Sequence, residues 1–212
     1  AGIVSITGSS AGSAYYYFCY DWEVTGQDVV CTSARTEVVA TVTNGFILNA
    51  QVALEGPYDP GTGLMNDGLR TSSLIPSVEP YTQLGFVQVG GGGETIGGGV
   101  LSVTGSSAIV DWVLVELRSA TQPGTIVATK TALLRRDGQI VSALGTELRF
   151  TVPQDNYYVA IRHRNHLGTM TSVPISFGPS PVSVDLRNPS LLTWGTNARK
   201  TINSTAVLYA GN

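Results

Sequence analysis

The sequence predicts an all-β protein, and three observations lead to that prediction. Short apolar stretches rich in β-branched and aromatic residues recur along the chain, with turn-forming Gly, Pro, Asn and Asp between them. No stretch shows helical periodicity for more than about two turns. The most apolar stretch, residues 109–118, is hydrophobic on both faces, as expected for a strand inside a covered sheet. Together these features predict a β-sandwich built around this strand.

Residues 109–118 read Ile-Val-Asp-Trp-Val-Leu-Val-Glu-Leu-Arg, and we expect them to form the central strand. A helix is the alternative for so short a run, but the β-branched content and the following turn residues favour a strand. Strict alternation puts one set of side chains on one face (Val110, Trp112, Leu114) and a second set on the other (Ile109, Val113, Val115, Leu117). The predicted core residues are Trp112, Leu114, Val115, Tyr158 and Ile161.

The first predicted segment, residues 1–45, contains a short strand followed by a hairpin. The strand consists of Ile3, Val4 and Ile6, and the Gly/Ser-rich residues 7–14 after it are typical of a flexible linker. Because this strand is joined to the rest only by a linker, it is a candidate donor strand for a neighbouring copy of the chain.

Two cysteines, Cys19 and Cys31, flank the turn at 25–28 that joins the strands of this hairpin. We expect them to form a disulfide across the hairpin in an oxidising compartment, and a pair of buried free thiols is the alternative. Two cysteines without a nearby histidine are too few for a zinc site, so no metal is expected here.

The second predicted segment, residues 46–212, is the main sandwich domain. Strands are predicted at 46–55, 100–104, 109–118, 125–134, 140–141, 148–152, 157–164, 173–177 and 182–186. Asp137-Gly138 between two apolar runs indicates a hairpin turn. The Gly-rich residues 90–99 lack the Lys-Ser/Thr ending of a phosphate loop, so a surface loop is expected there. A turn of helix is expected within residues 196–206.

Charge and composition exclude several classes of partner. The chain carries 12 Lys and Arg against 15 Asp and Glu, a net charge of -3, which gives no electrostatic basis for binding nucleic acid or an anionic membrane. No run approaches the roughly 20 apolar residues of a membrane span. The chain begins with Ala rather than Met, as a processed exported protein or an excised fragment would, and an extracellular or cell-surface location is expected.

No residues form a recognisable catalytic or metal-binding set, so no enzyme activity and no cofactor are predicted. His163 and His166 would face opposite ways on one strand unless that strand ends between them, and we expect them to tie a strand end to a loop. A hydrolase needs a nucleophile, a base and an orienting group, and no Gly-x-Ser-x-Gly elbow occurs. A pocket that holds Ser or Glu beside either histidine would favour a hydrolase. Asp59, Asn66 and Asp67 offer oxygen ligands without calcium-loop spacing.

Several stretches resemble the repeat and C-terminal regions of large cell-surface proteins of Bacteroidota-type bacteria. The resemblance is carried by residues 110–118, 132–138, 157–168, 194–198 and 208–212. The opening residues 16–24 and 31–35 resemble the closing hairpin of an Ig-like repeat in the same proteins. At the level of fold, the sequence also resembles transthyretin-like or collagen-adhesin B-type sandwiches. These likenesses imply an Ig-like or transthyretin-like Greek-key sandwich, preceded by part of a second Ig-like unit.

The resemblance implies an exported, non-enzymatic surface module. The acidic calcium-type repeats that typically follow in relatives are not present in this chain, so no calcium site is carried over. An incomplete Ig-like unit leaves sheet edges that an incoming strand can pair with. We therefore expect a self-assembling subunit that forms a homo-oligomeric filament by strand exchange through Ile3, Val4 and Ile6. The alternative is a carbohydrate-binding or adhesin module that contacts a glycan or surface receptor, for which Trp194 is the exposed aromatic candidate.

Overall fold

The computed structural model describes residues 45–211, which belong to a unit formed by residues 41–212. The predicted donor strand and the predicted disulfide both lie outside the described residues (Ile3, Val4, Ile6, Cys19, Cys31). Within residues 45–211, no helix is long and apolar enough to cross a membrane.

The described part of the chain is almost entirely β-structure, as predicted. The strands are β1 (Phe46–Gln51), β2 (Tyr58–Asp59), β3 (Leu64–Met65), β4 (Ile109–Ser119), β5 (Ile126–Arg135), β6 (Ile140–Val141), β7 (Arg149–Phe150), β8 (Asn156–His163), β9 (His166–Met170), β10 (Ile175–Ser176), β11 (Val182–Asp185), β12 (Lys200–Ile202) and β13 (Thr205–Val207). The helical elements are α1 (Gly68–Thr71) and two 3-10 turns (Val100–Ser102 and Gly105–Ser107). Each helical element spans only three or four residues, so none builds a layer of its own.

The largest sheet has six strands, with β4 at its centre. Its strand order is β10-β8-β4-β5-β6, and β9 pairs with β8 beside this path. All of its pairings are antiparallel, and β4 pairs with β5 on one side and β8 on the other. The apolar pattern of residues 109–118 predicts this central position correctly, because a strand between two neighbours in a covered sheet is buried on both faces.

A three-stranded sheet, β11-β1-β7, packs on one face of the six-stranded sheet. Strand β1 runs parallel to β11 and antiparallel to β7. Inward side chains of both sheets share one core, in which Phe46 stacks on Phe177 at 4.2 Å and on Phe150 at 5.9 Å. Burial of this many aromatic and aliphatic side chains between two sheets supplies the main hydrophobic stabilisation of the domain.

The other face of the six-stranded sheet is covered by loops, which we call the loop layer (residues 75–101). Trp112, Leu114 and Leu133 of the sheet pack there against residues of this layer that include Tyr81. The indole Nε1 of Trp112 donates to the carbonyl of Pro76 at 2.9 Å, and the Tyr81 hydroxyl donates to the carbonyl of Trp112. The layer therefore satisfies buried polar groups as well as covering apolar surface.

The predicted faces of β4 are wrong at its first two residues. Ile109 packs with Trp112 against the loop layer, whereas Val110 packs with Val113 in the core between the sheets. A β-bulge is the cause, because the pairing with β5 shifts between Ile109 and Asp111, so the alternation slips by one residue. From Trp112 onwards the predicted alternation holds. The five residues predicted for the core are all buried: Trp112, Leu114, Val115, Tyr158 and Ile161.

Two further predictions of local structure are wrong. Residues 100–104 form no strand, since a 3-10 turn occupies Val100–Ser102 and Gly99 before it has φ of 82°. Residues 196–206 form no helix, because the segment folds into the hairpin β12–β13 with Asn203 at positive φ in its turn. The sequence of residues 196–206, with its polar and β-branched residues and a turn-forming Asn, is compatible with a helical turn or a hairpin. Pairing between the two strands of the segment determines that it forms a hairpin.

Candidate functional site

One face of the six-stranded sheet is covered at one end and open at the other. The covered end holds Trp112 and Leu114 beneath the loop layer. The same face of β4 continues through Glu116 to Arg118, since alternate residues of a strand share a face. Beyond the edge of the loop layer lies a groove of about 400 Å³, hereafter the Trp194 groove. Its lining residues are Glu116, Arg118, Ala160, Arg162, Leu167, Gly168, Thr169, Met170 and Trp194.

Trp194 supplies the aromatic surface of this groove. The segment that carries it runs beside the end of β9, where the backbone N–H of Trp194 donates to the carbonyl of Met170 at 2.8 Å. Its ring packs edge-on against Tyr158 of β8, with 5.7 Å between ring centroids. Although held in this way, Trp194 is 52% exposed, so much of an aromatic ring is available to a ligand.

Glu116 is the electrostatic centre of the groove. It is only 1% exposed, and its carboxylate accepts hydrogen bonds from Arg118 Nε at 2.8 Å and from Arg162 Nη1 at 3.3 Å. Arg118 Nη2 also forms an ion pair with the carboxylate of Glu116 at 2.6 Å. Two guanidinium groups therefore stabilise one buried carboxylate, and they leave one positive charge in excess.

The two arginines differ in how many of their guanidinium nitrogens have hydrogen-bond partners. Arg118 also donates from Nη1 to the carbonyl of Pro123, so its three nitrogens all have partners. The guanidinium of Arg162 lies over the ring of Phe86, 4.9 Å from its centroid, at the edge of the loop layer. Within residues 45–211, the side chain of Arg162 makes one hydrogen bond, through Nη1, and this side chain is 46% exposed. Arg162 can therefore donate hydrogen bonds to a ligand.

The single carboxylate of this groove does not match the pair of carboxyl groups used in common glycoside hydrolysis. Glycoside hydrolysis by the common mechanism uses two carboxyl groups that flank the scissile bond. Among the described residues that line the Trp194 groove, Glu116 is the single carboxylate, and both of its oxygens are engaged by arginines. An aromatic surface beside fixed hydrogen-bond donors is the usual composition of a small-molecule site.

A second polar cluster lies at the other end of β4, and it contains both histidines. His163 ends β8 and His166 begins β9, so the strand ends between them and their rings meet at a tight turn. Their Nδ1 atoms are 2.9 Å apart, and His163 Nε2 is 3.1 Å from the carboxylate of Asp111. Arg164 also pairs with Asp111, at 2.8 Å.

The hydrogen bonds of this cluster fit one pattern of tautomers. His163 Nδ1 accepts from the backbone N–H of Asn165, so the ring proton of His163 sits on Nε2 and is donated to Asp111. His166 then donates from Nδ1 to the same lone pair of His163 Nδ1, so Asn165 and His166 share one acceptor. The Nε2 of His166 accepts a long bond from the N–H of Gly56 at 3.5 Å. Burial, followed by the proximity of His163, lowers the pKa of His166 to about 4. His166 is therefore neutral at pH 7.

A pocket of about 540 Å³ borders these histidines, and Ser72 is among its lining residues. A nucleophile activated by a base must lie within hydrogen-bond reach of that base. Among the described residues, Ser72 has no hydrogen bond to either imidazole, and both ring nitrogens of His163 are already engaged. The cluster ties the end of β8 to the loop at Gly56, the structural role that the sequence predicts.

The described residues contain no group of three or more His, Cys, Asp or Glu side chains able to hold a metal ion. In the loop with candidate oxygen ligands, Asp59 accepts hydrogen bonds from Gly61 and Thr62. Asp67 pairs with Arg70 at 2.6 Å. These carboxylates satisfy local backbone and side-chain donors, as in ordinary loop turns.

The sequence predicts that Trp194 is an exposed aromatic residue, but it does not predict the partners of Trp194 in the groove. Glu116, Arg118 and Arg162 are spread over two strands, and the alternation of apolar and charged residues at the end of β4 is the one signal that marks their shared face. Comparisons of the chain with models of protein families, with curated proteins and with solved structures found no match. Function is therefore inferred from the geometry of the groove itself.

Proposed function

We propose that this protein is a non-catalytic module of an extracellular or cell-surface assembly and that it binds carbohydrate in the Trp194 groove. The observation that carries the proposal is the half-exposed Trp194 beside a rigid set of charged donors. A sugar ring has an apolar C–H face that packs on an aromatic ring and a rim of hydroxyls that need hydrogen-bond partners. The groove offers both kinds of contact on one surface.

The supports of the groove favour binding without large rearrangement. Trp194 is anchored by its backbone to Met170 and by its ring to Tyr158, and Arg162 is held between Glu116 and Phe86. Groups that are already ordered lose little conformational freedom when a ligand arrives. A weak, saturable interaction with an oligosaccharide is the expected behaviour.

Glycan-array binding by the purified chain tests this proposal. Trp194→Ala should weaken binding by about 2 kcal/mol or more, roughly thirtyfold, as truncation of a central aromatic contact does. Leu144→Ala is the matched control, because Leu144 is an exposed apolar residue that lines a different cleft. Absence of binding to any glycan, or equal loss in both variants, would contradict the proposal.

The fold that we propose for the described region is an Ig-like or transthyretin-like Greek-key sandwich. In the six-stranded sheet, β8 returns to lie beside β4 after the consecutive strands β4, β5 and β6. This order, with the fourth strand beside the first, is that of a Greek key, and it supports the proposal. The parallel pairing of β1 with β11 is an addition to the simple antiparallel pattern.

Self-assembly into a surface filament is the second candidate function. It is favoured by the edge of the three-stranded sheet, where β11 has no strand partner on its outer side among the described residues. Such an edge presents unpaired backbone groups to an incoming strand. The proposed donor is the segment containing Ile3, Val4 and Ile6, and a head-to-tail exchange of this kind produces filaments.

Deletion of residues 1–14 tests the assembly proposal by electron microscopy of the intact and the truncated chain. Filaments formed by the intact chain and lost on truncation would support strand exchange. Identical polymers from both chains, or a monomeric intact chain at high concentration, would exclude it. Binding of glycans by the truncated chain is an independent measurement, since the Trp194 groove lies within residues 116–194.

A further inference from the structure

The charge of the Trp194 groove is opposite to that of the chain. Its described lining residues include Arg118, Arg162 and a single acid, Glu116, so two positive charges and one negative charge leave one positive charge. The chain as a whole carries a net charge of -3. A local charge of the opposite sign attracts ligands that the rest of the surface repels.

Arg162 is the group that can use this charge. Arg118 is committed to Glu116 and to the carbonyl of Pro123, whereas Arg162 engages Glu116 through Nη1 alone. The remaining guanidinium N–H groups of Arg162 are free of partners within residues 45–211, and stacking on Phe86 restricts their position. A restrained, partly exposed guanidinium is well suited to an oxyanion, because it can donate two parallel hydrogen bonds.

From these observations we infer that the Trp194 groove selects negatively charged saccharides, which carry a uronate carboxylate or a sulfate ester. In this arrangement Trp194 packs on the sugar ring and Arg162 binds the anionic substituent. Glu116 is a positioning residue, because it holds both guanidinium groups and is itself buried. The inference rests on the carbohydrate-binding function proposed above and adds the class of ligand.

The experiment uses two pairs of oligosaccharides that differ only in charge. One pair is an oligogalacturonate and its carboxyl-reduced form, and the other is a sulfated galactan oligosaccharide and its desulfated form. Isothermal titration of the full chain at low salt should show about tenfold tighter binding of the charged member of at least one pair, since charge-assisted hydrogen bonds are roughly twice as strong as neutral ones. The difference should shrink at about 0.5 M NaCl, where the screening length falls below about 5 Å.

Three variants connect this selectivity to Arg162. Arg162→Gln should reduce affinity for the charged member by about tenfold. Arg162→Lys keeps the charge and should retain part of the discrimination, which guards against a folding defect in the Gln variant. Arg149→Gln is the matched control, because Arg149 is exposed and pairs only with Glu147 at 3.8 Å within the described residues.

The outcomes separate the inference from the function beneath it. Preference within the uronate pair alone identifies a carboxylate, preference within the sulfated pair alone identifies a sulfate, and preference in both identifies charge in general. Equal affinities within both pairs would overturn the inference and leave carbohydrate binding intact. Absence of binding to all four oligosaccharides would overturn the inference, and the glycan array would then decide separately whether the proposed function stands.

Discussion

Two buried carboxylates on β4, Asp111 and Glu116, have very different surroundings. They are 2% and 1% exposed, and each is paired with basic residues of the segment around β8. Asp111 belongs to a cluster in which the histidine nitrogens bond to one another and to the backbone. Glu116 instead holds Arg162, whose remaining donors face no protein partner in residues 45–211.

This difference between Asp111 and Glu116 shows that burial and charge pairing alone do not identify a functional site. In the Asp111 cluster the ring nitrogens of both histidines are engaged, so the imidazoles have little left to offer a ligand, although Arg164 Nη1 is buried without a partner among the described residues. A network that fixes a charged group at the edge of an open groove leaves that group available. The Asp111 cluster therefore has a structural role in this account, and the Glu116 cluster supports binding.

Removal of Asp111 should have the largest effect on stability. Asp111→Ala leaves buried His163 and partly exposed Arg164 without their shared acceptor. It should lower the free energy of unfolding by about 3–5 kcal/mol, the range for breaking a buried pair. Denaturant unfolding of the variant measures the loss. A decrease under about 1 kcal/mol would show that the cluster is not a structural network.

Removal of Glu116 should cost less, although Glu116 is buried as deeply as Asp111. In Glu116→Ala the guanidinium groups of Arg118 and Arg162 border an open groove, so water can solvate them. We expect a loss of about 1–2 kcal/mol in stability, together with weaker glycan binding because Arg162 loses its anchor. A loss as large as that of Asp111→Ala would erase the distinction between the two clusters.

A pH dependence of stability should come from His166, and it should be no larger than the effect of removing Glu116. Its pKa is lowered to about 4 in the folded state by burial and by His163, whereas an unfolded histidine titrates near 6.5. Between these values the unfolded chain binds more protons, so stability is full above about pH 6.5 and falls as the pH drops towards 4. After allowance for the partial exposure of His166, the loss should be about 1–2 kcal/mol.

His166→Asn isolates this contribution, because Asn keeps a hydrogen-bond donor near the position of Nδ1 and does not titrate. Denaturant unfolding of the wild type and the variant should be compared at intervals from pH 7.5 to pH 4.5. Their difference in unfolding free energy should change over this range, while the titration of carboxylates cancels between them. Parallel curves would contradict the assigned protonation of His166.

Much of the architecture could be predicted from the sequence, because local patterns determine it. The apolar run at 109–118 predicts the central strand, and Asp137-Gly138 predicts the turn between β5 and β6, where Gly138 has φ of 85°. The bulge at the start of β4 could not be predicted, since it depends on pairing with β5. The segment at 196–206 became a hairpin for a similar reason, as its two halves pair with each other.

The candidate site was less predictable than the fold. Trp194 could be identified as exposed, but its relation to Glu116 and Arg162 depends on the register of β4 and β8 and on a distant segment. The groove is open because the loop layer does not cover this part of the sheet, and Phe86, which contacts Arg162, lies at the edge of that layer. The arrangement of the groove depends on tertiary contacts that no local sequence pattern reveals. The contact between His163 and His166, in contrast, follows from a strand that ends between them.

The central claim, that Trp194 forms a carbohydrate site, is tested most directly by nuclear magnetic resonance of the indole N–H groups. The sequence has three tryptophans, and Trp194→Phe and Trp112→Phe would assign two of the three signals. Titration with an acidic oligosaccharide should shift the Trp194 signal saturably, while the buried Trp112 indole, bonded to Pro76, should stay unchanged. A saturable interaction that leaves the Trp194 signal unmoved would contradict the account.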